Sequence, residues 1–64
     1  MTYQEATTLQ QTILDDVPQH DVTVQPWPRV NPTGYIVLVI PPKQNTFLVV
    51  RSLEEWDESG FLVW

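Results

Sequence analysis

The sequence predicts an α+β fold in which an N-terminal helix packs on a small antiparallel sheet. Three observations indicate this fold: an amphipathic stretch at the start, two apolar β-branched runs around a cluster of turn formers, and a serine-capped acidic stretch near the end. The 64 residues are expected to form one domain, residues 1–64, near the lower size limit for a core without cross-links. The expected element order is α–β–β–β–α, with three or four strands.

The first helix is expected over residues 2–16. Thr2 and Glu5 have the spacing of a capping box, in which each side chain accepts a hydrogen bond from the other residue's backbone amide. Pro18 restricts the residue before it and cannot continue the helix. Apolar residues at helical spacing predict a buried stripe made of Tyr3, Ala6, Leu9, Ile13, Leu14 and Val17. The residues expected to face water are Gln4, Thr7, Gln10 and Gln11.

Residues 20–25 alternate polar and apolar side chains, which predicts a half-buried strand with Val22 and Val24 pointing inward. Residues 26–34 are proline-rich and are expected to form an extended connection across the surface. Trp27 lies between two of these prolines, on a stiff backbone that loses little entropy on binding. Trp27 therefore either folds back to cap the sheet or serves as an anchor in an interface, where Trp is enriched.

The runs 35–40 and 46–51 flank five turn formers and predict a β-hairpin. If Ile40 lies opposite Thr46, one sheet face completes a core with the helix. That predicted core is Leu9, Ile13, Ile36, Leu38, Leu48 and Val50. The second face would carry Tyr35, Val37, Val39, Phe47 and Val49. Strands with one solvated face would alternate apolar and polar residues, and these strands do not. We therefore expect this second face to be covered, either by residues 56–64 or by another chain.

Ser52 and Glu55 repeat the capping-box spacing and predict a short helix that continues to about Glu58. Gly60 suits the left-handed residue that ends such a helix. Residues 61–64 are apolar and are expected to form either a fourth short strand or a packed tail.

The charge balance argues against several classes of function. Arg29, Lys43 and Arg51 are the only cations against eight carboxylates, and the net charge is −5. Without a basic face, binding to nucleic acid or to an anionic membrane is not expected. The chain lacks cysteine, which excludes disulfides and thiolate metal sites and favours a cytoplasmic location. We find no signal-peptide pattern at the N-terminus.

No residue pattern predicts catalysis or a cofactor. His20 has acidic neighbours in Asp15, Asp16 and Asp21, but a helix end and a loop are the usual places for solvated polar residues, so we expect no metal site. Ser52 is better explained as a helix cap than as a nucleophile. We therefore expect no enzyme activity, no catalytic residue and no cofactor.

An acidic–aromatic cluster near the C-terminus suits a partner that carries Arg or Lys. Combined with the proline-rich loop, it gives a predicted protein-binding site consisting of Trp27, Arg29, Glu54, Glu55, Trp56, Asp57 and Glu58. We expect a small non-catalytic binding or regulatory module with a basic protein partner. The alternative is a self-associating structural domain, a homodimer formed through the sheet face or through the edge at residues 46–51.

Two resemblances accompany these inferences. The run at residues 25–35, QPWPRVNPTGY, resembles short uncharacterised proteins of bacterial genomes, cyanobacteria in particular, and it implies no activity or site. The predicted element order is similar to that of the double-stranded-RNA-binding domain. Residues 52–55 are acidic where that family needs positive charge, so the resemblance does not imply RNA binding here.

Overall fold

The computed structural model describes the backbone of residues 1–63 and the side chains of residues 1–58. The elements are α1 (Tyr3–Asp16), β1 (Asp21–Trp27), β2 (Gly34–Ile40), β3 (Leu48–Val50) and α2 (Leu53–Val63). The three strands form one antiparallel sheet in the order β1-β2-β3. The predicted α+β fold and its element order are therefore confirmed. Within residues 1–63, neither helix has the length and apolarity that crossing a bilayer requires.

Helix α1 begins with the predicted capping box. The Glu5 amide donates to the Thr2 hydroxyl at 3.1 Å, and the Thr2 amide donates to the Glu5 carboxylate at 2.9 Å. The helix ends where the Val17 amide donates to the Ile13 carbonyl at 2.8 Å, just before Pro18. Its buried face consists of Ala6, Leu9 and Ile13, as predicted, whereas Tyr3 is 60% exposed.

Strand β1 has one apolar face, and this face is directed toward α1. Its Val22 and Val24 pair with Val39 and Val37 of β2, and paired residues share a face. The helix covers this face, and Val37 and Val39 are completely buried beneath it. The inward orientation predicted for Val22 and Val24 is consistent with their packing in this core.

The predicted hairpin register is wrong by one residue. Val39 lies opposite Leu48, and Leu38 lies opposite Val49, whereas the sequence predicted Leu38 opposite Leu48. The connection is longer than five residues and includes Lys43 in a left-handed conformation with φ of 63°. Because a slip of one residue moves side chains to the other face, β2 presents Val37 and Val39 to the helix instead of Ile36 and Leu38.

The core therefore differs from the predicted one at β2. Leu9, Ile13 and Val50 are buried in it as expected, and Leu48 packs against it. Ile36 is only 5% exposed but lies outside this cluster, and Leu38 is half-buried outside it as well. The buried cluster is Ala6, Leu9, Ile13, Val22, Val37, Val39, Val50 and Trp56.

Helix α2 begins at a serine cap and is longer than predicted. The Ser52 hydroxyl accepts from the Glu55 amide at 3.2 Å, which confirms Ser52 as the cap. The helix continues past Gly60 to Val63, so the predicted end near Glu58 is wrong. Of the two alternatives for the C-terminal segment, the short strand does not form over residues 61–63. A glycine inside a helix costs only about 0.5–1 kcal/mol, too little to end a helix whose first turn is already formed. Trp64 and the predicted packing of the tail side chains lie outside what the structure describes.

Trp56 anchors α2 to the rest of the domain. Its side chain is 5% exposed and belongs to the core cluster beneath α1. Its indole Nε1 donates to the Asp16 carboxylate at 2.8 Å. This bond gives a structural reason for an aspartate at the C-terminal end of α1, where the helix dipole disfavours negative charge.

We expect Ile13→Ala to lower the free energy of unfolding by about 2–5 kcal/mol, because it removes buried atoms at a fully buried position and leaves a cavity. Ile13→Val, the matched smaller change, should cost about 0.5–1.5 kcal/mol. Chemical denaturation followed by circular dichroism measures both. If neither substitution lowered the free energy of unfolding measurably, α1 would not pack on the sheet as described.

Acid should weaken the capping box. Hydrogen bonds from the Thr2 amide, and then from its hydroxyl, lower the pKa of Glu5 below its ordinary value of 4.5. The folded state thus favours the carboxylate, and this contribution is present above about pH 4.5 and is lost as the pH falls through the lowered pKa. In urea titrations, Glu5→Gln should lose less stability than the parent on acidification through that range. Identical slopes would contradict a role for the carboxylate.

Candidate functional site

An apolar groove lies on the sheet face opposite α1, with a volume of about 750 Å³. Its β2 residues, Ile36 and Leu38, alternate with Val37 and Val39, which face the helix. Because successive side chains of a strand point to opposite faces, the groove must lie on the side away from α1. We call it the outer groove, and its lining is Gln25, Pro26, Trp27, Pro28, Arg29, Val30, Ile36, Leu38, Phe47 and Val49.

Two exposed aromatic side chains belong to the lining of the outer groove. Trp27 is 44% exposed at the end of β1, and Phe47 is 61% exposed just before β3. Ile36, from the central strand, is almost completely buried. None of the described side chains of either helix lines the groove. Trp27 is thus neither a core residue nor fully solvated, and its role in an interface stays a prediction.

The loop over residues 28–33 brings Arg29 and Val30 beside the groove. The Thr33 amide donates to the Trp27 carbonyl at 3.3 Å and closes the loop. Asn31 adopts a left-handed conformation with φ of 55°, which asparagine tolerates better than most residues. The Trp27–Pro28 peptide bond is cis. The sequence prediction of an extended connection from Pro26 onward is wrong in part, because β1 continues through Pro26 to Trp27.

Two residues of the outer groove carry side-chain donors that have no acceptor among the described residues. Trp27 Nε1 donates to no residue in the part of the chain that the structure describes, in contrast to the Trp56 indole. Arg29 is exposed, is the only charged residue among the described residues of the lining, and forms no ion pair with a described residue. Arg51, in comparison, lies 3.6 Å from the Glu55 carboxylate.

The predicted acidic half of the site lies elsewhere. Glu54 lines a separate cleft of about 540 Å³ between the start of α1 and the start of α2. Glu55 pairs with Arg51, while Asp57 and Glu58 are exposed. Trp56 is buried in the core on the helix side of the sheet. The structure therefore joins Trp27 and Arg29 in one groove, and it does not join them to the acidic residues.

The predicted solvation of His20 is wrong. His20 is 6% exposed, and its amide donates to the Val17 carbonyl at 3.0 Å in a tight turn over residues 17–20. Asp15 and Asp21 are exposed, and Asp16 binds Trp56. No group of three or more potential metal-ligating side chains comes together among the described residues.

The free edge of β1 is poorly suited to pair with another strand. Tyr35 exchanges backbone hydrogen bonds with Met1, at 2.9 Å and 3.4 Å, so its backbone groups point away from β1. Its β1 partner, Pro26, therefore occupies a position without ladder hydrogen bonds, and its outer side lacks an N–H donor. Further along the same edge, the Val22 carbonyl accepts from the side chain of Gln10 at 2.8 Å. Gln10, predicted to face water, therefore blocks this edge.

Gly34 lies where the chain packs closely against Met1. A Cβ atom at Gly34 would lie 3.1 Å from the Met1 carbonyl oxygen, closer than an ordinary van der Waals contact. The bonds between Met1 and Tyr35 keep this approach close, and they continue the sheet beyond the end of β3.

We expect Trp56→Phe to destabilise the fold by about 1–3 kcal/mol, because it removes the bond to Asp16 together with part of a buried ring. Asp16→Asn retains an acceptor and should cost less. Thermal unfolding of the two variants measures the difference. A Trp56→Phe variant as stable as the parent would mean that the indole does not hold α2 in place.

We searched models of protein families, curated proteins and solved structures for similarity to this chain, and nothing in any of the three comparisons matches it.

Proposed function

We propose that the protein is a small non-catalytic binding module whose outer groove accepts a segment of another protein. The observation that supports this most directly is the groove itself, an apolar and partly aromatic surface that no described helix side chain covers. Concave, mostly apolar sites with a few polar groups are typical of ligand binding. In this proposal Trp27 and Phe47 supply the apolar contact, and Arg29 supplies the polar one.

A homodimer through the same face is the second candidate, and the available area argues against it. An aromatic side chain offers ~150–250 Å² of surface, so Trp27 and Phe47 each leave on the order of 100 Å² exposed. These two rings together offer about 200 Å² of apolar surface, less than half of the roughly 450 Å² of apolar area that each partner contributes to a stable interface of standard size. A short peptide segment fits this area better than a second domain does.

Dimerisation through a sheet edge is also disfavoured. The β1 edge is interrupted by Pro26 and by the Gln10 side chain. The β3 edge has only three residues, too few for a stable ladder with another chain. The 46–51 edge considered from the sequence is therefore a weaker candidate than the groove.

The basic partner expected from the sequence remains a separate proposal. Glu54, Asp57 and Glu58 are exposed on α2 and suit basic residues, but α2 packs through Trp56 on the opposite side of the sheet from the groove. A single short segment bound in the outer groove therefore does not need to contact the acidic surface of α2. We assign the partner contact to Trp27 and Arg29, and we assign Trp56 to the core.

Panning a displayed library of random 12-residue peptides against the protein tests the proposal. Selected peptides should bind the parent, and Trp27→Ala should weaken them by ~2 kcal/mol or more, which is roughly 30-fold, as expected for an interface anchor. The fold should be retained because Trp27 is half exposed and outside the core cluster. Titration calorimetry on purified variants gives the affinities.

Tyr3→Ala is the matched control, because Tyr3 is also an exposed aromatic residue but does not line the groove. It should leave the selected peptides bound as tightly as before. Two results contradict the proposal: peptides whose affinity depends on Tyr3 and not on Trp27, or a library from which no peptide is enriched.

A further inference from the structure

We infer that the segment accepted by the outer groove is an extended, proline-containing stretch of apolar residues with one carboxylate that pairs with Arg29. This inference rests on the proposed function and specifies the chemistry of its ligand. Three properties of the groove lead to it: its unused donors, its small apolar area and its single charge.

The unused donors favour an extended segment over a helix. Trp27 Nε1 and the Arg29 guanidinium have no acceptor among the described residues, and both residues belong to the groove lining. Backbone carbonyls inside a helix are already bonded within that helix. A polyproline-type segment has no internal hydrogen bonds, so its carbonyls are free to accept from the indole.

The small apolar area of the groove limits the favourable free energy of binding. A ligand that loses little conformational entropy on binding therefore suits the groove best. A helical ligand of fewer than ~12–15 residues is marginally stable in water and would have to fold on the groove. A proline-rich segment is already extended before it binds, so less conformational entropy is lost. Grooves lined by aromatic side chains are the general receptors for such segments, and Trp27 and Phe47 supply this lining here.

Strand addition is the remaining way to bind an extended segment, and the sheet edges disfavour it. Pro26 offers no outward donor, and Gln10 occupies the Val22 carbonyl. The ligand is therefore expected on the face of the sheet.

The single charge specifies the carboxylate. Arg29 is the only charged residue among the described residues of the lining, and a guanidinium pairs with a carboxylate through two parallel hydrogen bonds. The net charge of −5 opposes an acidic ligand at long range. Salt screens that repulsion beyond about 8 Å at physiological ionic strength, while the contact with Arg29 remains. Preference for an acidic peptide would therefore come from the groove and not from the overall charge.

Two synthetic peptides that differ at one residue test this inference. The first is acetyl-Pro-Pro-Leu-Pro-Glu-Leu-Pro-Pro-amide, and the second has lysine in place of glutamate. Each is titrated into the ¹⁵N-labelled full chain and followed by NMR. The glutamate peptide should shift the Trp27 indole signal and the groove backbone, while the Trp56 indole signal, bonded to Asp16, stays in place. It should bind about tenfold more tightly than the lysine peptide.

Arg29→Glu should reverse the order of the two peptides, since the exposed side chain contributes its charge and little packing. Lys43→Glu makes the same change in charge at an exposed residue that does not line the groove, so it is the matched control. With Lys43→Glu the glutamate peptide should still bind more tightly. An unchanged order in Arg29→Glu, or shifts confined to the α1–α2 cleft, would overturn the inference.

The two proposals fail in different ways. If neither proline peptide binds but the displayed library yields peptides that depend on Trp27, the ligand class is wrong and the binding module stands. If neither source yields a groove ligand, both proposals are wrong. Shifts of the groove residues on dilution, without any peptide, would show that a second copy occupies the face and would overturn the inference.

Discussion

The alternation of apolar and polar side chains along β1 decides which face of β2 lies beneath α1. The positions of the core and of the outer groove follow from this pairing. Strand β1 offers Val22 and Val24 on one side and Thr23 and Gln25 on the other. Strand β2 is apolar on both sides and has no preference of its own. Pairing with β1 places the valines of both strands under the helix, because burying Thr23 and Gln25 there would leave polar groups without water.

The same choice leaves an apolar face that no described helix side chain covers. Ile36 and Leu38 necessarily face away from α1, and α2 also packs through Trp56 on the helix side. A chain of 64 residues has little left to cover a second face. Both sheet edges are protected against further pairing, one by Gln10 and Pro26 and the other by its short length. The uncovered surface is thus confined to a groove of limited area, which suits selective binding better than aggregation.

Local signals in the sequence predicted what local physics determines. The capping box of Thr2 and Glu5, the Ser52 cap and the element order depend on neighbours within a few residues, and all were predicted. The register of the hairpin was not, because residues 36–40 and 47–50 are all apolar and offer no alternating pattern to align. The face that β2 turns toward the helix depends on its pairing with β1. The sequence prediction did not include that pairing.

The candidate site also combines features that depend on neighbouring residues with features that depend on contacts distant in sequence. Trp27 and Arg29 were identified because a tryptophan between prolines and a nearby cation are visible in the sequence. Trp56 was assigned to the same site because it stands among acidic residues. Its burial depends on the contact with Asp16, which is 40 residues away. Phe47 was missed as a site residue because the wrong register placed it on the face with Val37 and Val39, whereas the structure places it in the groove.

In the proposed function, stability and recognition depend on opposite faces of one thin sheet. The fully buried side chains, Ile13 and Val50 among them, lie on the helix side, whereas Trp27, Arg29 and Phe47 are exposed on the other. Ile36 is the exception, since it is buried and also lines the groove. Changes at the exposed groove residues should alter binding while the core stays intact, whereas a change at Ile36 should affect both. A ligand that contacts Trp27 and Phe47 would extend the apolar packing over Ile36 and stabilise the folded state by mass action.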